Sequence, residues 1–187
     1  MKLLQLLPIG DIDLRALEQV GPRIAQQFHV AWDILQPGLD PQFAYHAERQ
    51  QYHSTELLAR MHGFLGAECW RLLGVTGHDL YIPILTFVFG EAQMGGPAAV
   101  VSTHRLQQEF YGLPADEHLS RQRLMKEAVH ELGHTLDLRH CDDYRCAMAA
   151  SHAVEWIDLK ENGMCPGCSD RMAPLLPVEK KTRFRFF

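Results

Sequence analysis

The stretch His130-Glu131-Leu132-Gly133-His134-Thr135-Leu136-Asp137-Leu138-Arg139-His140-Cys141 decides how this chain is to be read. It begins with H-E-x-x-H. On a helix, residues four apart lie one turn apart on the same face, so the His130 and His134 imidazoles converge on one point. Two neutral imidazoles at that separation suit zinc, and Glu131 sits on the flank of the pair, where it can reach a metal-bound water without ligating the metal. His140 follows six residues after His134, past the expected helix end, where a turn can return it to the pair. A shuffled chain of this composition yields about 0.04 such pentads, and about 0.002 with a third His at this offset. A lone helical His pair is often a polar surface feature; the triplet is far more specific. Three protein ligands leave a fourth zinc position open, the signature of a catalytic site rather than a closed structural one.

Next to His140 stands Cys141, the first of four clustered cysteines: Cys141, Cys146, Cys165 and Cys168. Two close pairs joined by a loop can close a tetrahedral sulfur site around a second zinc. The competing reading is a redox pair, Cys165-Pro166-Gly167-Cys168. That reading needs a helix N-terminus after a strand, which the sequence there does not suggest, and it leaves the other two cysteines without a partner. His140 and Cys141 are adjacent, and in an extended segment their side chains point to opposite sides. One segment is thereby tied to two metals, and the sulfur site is expected to hold the loop that delivers the third histidine.

The rest of the chain bounds the function. It has 187 residues, enough for one domain with a proper core or two small ones. The apolar fraction is 47% and the charged fraction 22%, a globular composition. No apolar run approaches membrane-spanning length. The net charge of −5 speaks against a basic nucleic-acid-binding face. Four of the 5 cysteines crowd into one short region instead of spreading as a disulfide framework would, which points to thiolates in a reducing, cytoplasmic setting. The apolar start, residues 3–9, is too short for a signal peptide and reads as a buried strand.

Hydrophobic periodicity predicts helices over residues 13–27 and over 54–66, the second either ending there or running on through 73 with Cys69 as a small buried hydrophobe. Strands are expected over residues 28–35, 81–89 and 98–103. The clearest helix spans residues 120–137, capped by Ser120 with Leu119 and Leu124 as a hydrophobic staple. Met125, Ala128, Val129, Leu132 and Leu136 share one face; the histidines look the other way, into a cleft. Alternating strands and helices imply an α/β body, followed by a loop-rich module stapled by zinc. The tail, residues 180–187, alternates basic and aromatic side chains and reads as a mobile arm or a strand packed on the body.

The histidine motif running at once into Cys141, Cys146-Ala147-Met148 and Cys165-x-x-Cys168 resembles the archaemetzincin branch of the metzincin zinc peptidases. Residues 87–92, 100–102, 105–106 and 3–13 are also similar to that family, so the resemblance covers most of the chain. It implies a single metzincin-like α+β catalytic domain over residues 1–187. A twisted mixed sheet, flanking helices and the zinc helix would form an upper part to residue 137; a smaller lower part would follow over 138–187. It implies a zinc-dependent peptidase acting on peptides or proteins; the chain is expected to be a monomer with no nucleic-acid or membrane partner. Metal would be held by His130, His134 and His140, with Glu131 as general base, and a structural zinc by the four cysteines. Met148 matches the Met-turn beneath the histidines. An edge strand, 98–102 or 85–89, would hold the substrate by backbone pairing. Metzincins carry Gly three residues after the second His; here stands Asp137, which tolerates positive φ better than most residues. Should the turn differ, Asp137, Asp142 and Asp143 are the substitute ligands. The rival function is a zinc-stabilised binding module whose peptidase motif is vestigial. No oxyanion donor is identifiable from the sequence.

Overall fold

A computed structural model describes residues 2–177. The elements, in chain order, are β1 (Leu3–Ile9), α1 (Leu14–Gln27), β2 (Ala31–Ile34), β3 (Tyr45–His46), β4 (Gln51–His53), α2 (Ser54–Met61), β5 (Cys69–Thr76), β6 (Leu80–Tyr81), β7 (Gly90–Ala92), β8 (Ala98–Ser102), α3 (Glu117–Thr135), α4 (Val154–Leu159) and α5 (Pro166–Met172). Five strands form a mixed sheet in the order β2-β1-β5-β8-β7. The first four are parallel and β7 runs antiparallel to β8 at the edge. A second small sheet joins β3, β4 and β6.

The main sheet forms because it is apolar on both faces. Leu4, Leu6, Leu73, Val75, Ala99 and Val101 turn to one side, where α1 and α3 pack. Their neighbours Leu7, Ile9, Leu72, Ala98 and Val100 turn to the other, against Leu57, Leu58 and Met61 of α2. Alternation of side chains along each strand puts near-continuous apolar runs to use on both faces, as parallel sheets covered by helices require. Each fully buried leucine contributes about 1.5–3 kcal/mol relative to exposure. Asp13 caps α1 by accepting the Arg15 N–H at 2.9 Å, a contact of about 1 kcal/mol.

Several sequence expectations change. Residues 69–76 are not helical; they form β5, the central strand, and Cys69 is half-buried at its start. Residues 82–89 are not a strand: only β6 precedes them, and Val88 makes one isolated bridge to Leu80. Strand Ala98–Ser102 exists but lies inside the sheet; the edges are β7 beside it and β2 on the far side. Helix α3 starts earlier than expected. Asp116, not Ser120, caps it, accepting the Leu119 N–H at 2.9 Å, so Leu119 lies in the first turn.

Helix α3 is also buried on nearly every side, rather than on one face only. Arg123, Lys126 and Glu127 are within it, and each meets a polar partner near α4. Arg123 forms two hydrogen bonds of 2.7 Å with Asp158. Lys126 Nζ donates to the Ile157 carbonyl at 3.0 Å. Lys160 Nζ pairs with Glu127 at 3.0 Å, both side chains buried. A buried charge without its partner costs several kcal/mol, so these contacts fix α4 on α3. The tail at residues 180–187 lies outside the described residues.

Candidate active site

The first pair of candidate ligands is built by α3 alone. His130 and His134 sit one turn apart, with their Nε2 atoms 3.1 Å from each other. The His130 Nδ1–H donates to the Ala147 carbonyl at 2.8 Å, and the His134 Nδ1–H to the Leu138 carbonyl at 2.7 Å. A carbonyl only accepts, so in each neutral ring the proton is on Nδ1 and the Nε2 lone pair is bare. Two bare lone pairs facing each other repel unless a cation lies between them. Tetrahedral zinc at ordinary Zn–N lengths separates two ligand nitrogens by about 3.3 Å. Burial pushes the His130 ring well below its usual basicity and lowers His134 as well, so both stay neutral.

His140 joins them through the end of the helix. Asp137 adopts φ +61°, the left-handed conformation that Gly adopts freely. Its N–H donates to the His134 carbonyl at 2.9 Å, and the Leu138 N–H donates to the Gly133 carbonyl at 3.1 Å. These two bonds are the Schellman termination, with Leu138 buried behind it. The turn aims the Leu138 carbonyl at the His134 ring and lets His140 return: the ligand atoms of His130, His134 and His140 all lie within 4.8 Å of one another. Asp137, Asp142 and Asp143 belong to no such group among the described residues. Asp143 instead accepts the Arg145 backbone N–H at 3.0 Å.

The candidate sulfur ligands gather in the same way. The Sγ atoms of Cys141, Cys146, Cys165 and Cys168 lie within 4.8 Å of one another, with Cys141 and Cys165 3.8 Å apart. Thiolates around tetrahedral zinc stand about 3.8 Å apart. The Cys165 backbone N–H donates to Cys146 Sγ at 3.2 Å, and Arg171 donates to Cys168 Sγ at 3.0 Å. Burial pushes the Cys168 thiol up to about 12, so this sulfur needs a cation to become a thiolate. Helix α5 does begin just after Cys165, contrary to the sequence expectation, yet no strand leads directly into it and the two thiols of the pair face the other cysteine pair.

The two clusters share one segment. The Cys141 N–H donates to the Met148 carbonyl at 2.9 Å, and the Met148 N–H to Cys146 Sγ at 3.4 Å. Between them, Ala147 presents the carbonyl that orients His130. Met148 is fully buried beneath α3, where a Cβ on Gly133 would collide with its sulfur. The cost of Gly inside a helix, about 1 kcal/mol, is the one sequence signal of that close approach.

Glu131 is buried, and its carboxyl is held well above the usual range by that burial, reinforced by Glu127 and Glu91 and opposed by Lys160. Gly90 of β7 lies against it. A Cβ there would come within 2.7 Å of Glu131 Cγ, Glu131 Oε1 and the Val100 carbonyl. We expect Gly90→Ala to displace this carboxylate, cutting kcat about 10²-fold, since misplacing a catalytic group by an ångström costs that much. Overpacking should also lower stability by about 1–3 kcal/mol. Steady-state kinetics and a thermal melt check both; an unchanged kcat would show that Glu131 does not depend on Gly90.

A cleft of about 460 Å³ opens over these groups. One lip is residues 82–89 with β7; the other is residues 150–152; Glu131 and the three histidines form the floor. The first lip is pinned from behind. Arg49 donates to the Leu85 and Thr86 carbonyls at 2.8 and 3.1 Å, and Gln51 to the Thr86 carbonyl at 2.9 Å. Glu91 of β7 is held by the hydroxyls of Ser54 and Thr55 at the start of α2.

Known proteins are similar to this chain in sequence and fold. The sequence profile of peptidase family M54 matches residues 43–173. The archaemetzincin of Methanocaldococcus jannaschii is 37% identical over 166 residues, 88% of this chain and 89% of its own length. That of Haloarcula marismortui is 35% identical, over 87% of this chain and 95% of its own length. Among solved structures, archaemetzincin from Archaeoglobus fulgidus, complexed with malonate, matches with TM-score 0.78 and 37% identity, over 91% of this chain and 99% of that one. A zinc-dependent peptidase from Methanocorpusculum labreanum matches with TM-score 0.83 and 27% identity, over 90% of this chain and 99% of that one. Among the described residues, no helix is long and apolar enough to cross a membrane. By its sequence, its mixed sheet and its paired histidine and cysteine clusters, the chain belongs to peptidase family M54, the archaemetzincins, and is a zinc metallopeptidase.

Proposed function

We propose that this chain hydrolyses peptide bonds at a zinc ion held by His130, His134 and His140, with Glu131 as general base. A second zinc, on Cys141, Cys146, Cys165 and Cys168, holds the segment that carries His140. The observation that carries this reading is the pair of bare Nε2 atoms 3.1 Å apart, each with its Nδ1 proton committed to a carbonyl.

Bound there, zinc supplies Lewis acidity and makes water nucleophilic at neutral pH. The chain's own residues do the rest. The Ala147 and Leu138 carbonyls keep the ligand rings oriented and their outer nitrogens basic. Glu131, with a proton affinity raised by burial, takes a proton from the attacking water and passes it to the leaving amine. The free edge of β7 offers backbone groups to an extended peptide beside Glu131. Residues 1–137 act as the sheet-and-helix part of one catalytic unit, and those after residue 137 as its zinc-stapled base. The binding-module alternative was motivated by Asp137; the left-handed turn at that residue supports the peptidase reading over it.

Metal counting tests the reading. Zinc-loaded protein should contain two ions per chain. A mild chelator should remove the open histidine-bound ion first, and cleavage of quenched-fluorescent peptides should vanish while the circular dichroism spectrum persists. The sulfur-bound ion should leave later, together with folded structure. One tightly held ion and no cleavage by any peptide pool would favour the binding module.

A further inference from the structure

Adding water to a peptide carbonyl drives an electron pair onto the carbonyl oxygen. A preorganised hydrogen-bond donor aimed at that oxygen is worth about 10²–10³ in kcat. Outside the three ligand histidines, the side-chain donors lining the cleft are Thr86, Ser151 and His152. Ser151 Oγ is sealed from solvent with no partner, so it does not reach into the cavity. Thr86 stands on the far lip, whose backbone is pinned from behind by Arg49 and Gln51.

We propose that His152 is a catalytic residue: one imidazole N–H donates a hydrogen bond to the scissile carbonyl oxygen as that oxygen gains charge. The ring lines the same cavity as His130, Glu131, His134 and His140. It packs edge-on against Trp156 of α4, with ring centroids 5.1 Å apart at 74°, which sets its plane. No hydrogen bond engages either ring nitrogen among the described residues, so the N–H is free for a substrate. Four residues after Met148 in the chain, His152 is carried by the segment that also carries Ala147, so the donor and the His130 support move as one piece.

The electron and proton inventory closes without another reactant. The water oxygen bonds to the carbonyl carbon, one water proton goes to Glu131, and the π pair moves to the carbonyl oxygen. His152 keeps its proton and shares it only as a hydrogen bond. When the C–N bond breaks, the pair returns and the amine takes the proton from Glu131.

The proposal rests on the peptidase reading, and the test separates the two. His152→Phe keeps a ring against Trp156 but removes the donor; His152→Gln restores a donor. The probe is a phosphinic dipeptide with apolar side chains, whose tetrahedral anionic centre imitates the charged oxygen. Calorimetry should show affinity falling about 100-fold in His152→Phe and recovering to within about 10-fold of wild type in His152→Gln. For peptide cleavage, kcat should fall in parallel while KM holds, with zinc content unchanged. Wild-type affinity in His152→Phe overturns the proposal, as does a glutamine no better than phenylalanine. So does loss of zinc in His152→Phe, which would make the ring a support for the ligands instead. Zinc-loaded wild-type protein that binds no phosphinic peptide overturns the peptidase reading itself.

Discussion

Glu131→Gln is expected to keep full zinc occupancy and to lose about 10²–10⁴-fold in kcat, the usual weight of general acid–base catalysis. Glutamine is nearly isosteric, so Gly90 and the buried surroundings still accept it. The amide cannot take a proton from water, and it has none to return to the leaving amine. The three histidines do not use Glu131 to hold their geometry. Their orientation comes from the Ala147 and Leu138 carbonyls and from the turn at Asp137. Metal analysis should therefore match wild type while peptide cleavage disappears. A variant cleaving at close to the wild-type rate would remove Glu131 from the mechanism and direct attention to Glu91 or Glu127, the other carboxylates in the cleft.

Cys146→Ser should act on the histidine site without touching it. Cys146 Sγ accepts the Met148 and Cys165 backbone N–H groups and is buried within the four-sulfur cluster. A serine oxygen is a poor stand-in for a thiolate around zinc. Loss of the closed site removes metal-binding energy that in small zinc motifs amounts to about 10–16 kcal/mol of apparent free energy. The larger sheet core supports the rest of the chain, so collapse should centre on residues 141–168. Two supports of the catalytic metal then go with it: His140, bonded in sequence to Cys141, and the Ala147 carbonyl, bonded in sequence to Cys146. We expect both ions to be lost, with a fall in Tm and no peptide cleavage. Full zinc occupancy at the histidines in a protein lacking the sulfur-bound ion would uncouple the two sites.

The site was more legible than the fold around it. His130, His134, His140 and the four cysteines were readable from residue type and spacing, because helix periodicity and ligand chemistry are local. Asp137 was readable as the position where a positive φ was needed, although only the paired bonds to His134 and Gly133 show that aspartate meets the need. The option of continuing the 54–66 helix to residue 73 fails, because β5 begins at Cys69. A short apolar run with no polar alternation fits a doubly buried strand and a buried helix equally well, and only pairing with β1 and β8 decides it. Residues 82–89, rich in aromatic and β-branched side chains, read as a strand for the same reason. They are instead the cleft lip, held by Arg49 and Gln51 from a remote segment. Ser120 was a plausible cap; Asp116 won because its carboxylate reaches a free backbone N–H one turn earlier.

By itself, the sequence marked out the candidate metal ligands, three histidines and four cysteines, and the carboxylate that stands beside the first of them. Those choices are written within a few residues of one another, at helix and turn spacing. Tertiary structure alone decided that β7 is the edge strand beside the cleft, that Gly90 presses on Glu131, that Lys160 pairs with Glu127, and that His152 shares the cleft. Each of those contacts joins segments far apart in the chain. Their geometry follows from burying two sheet faces at once, a condition that no local spacing encodes.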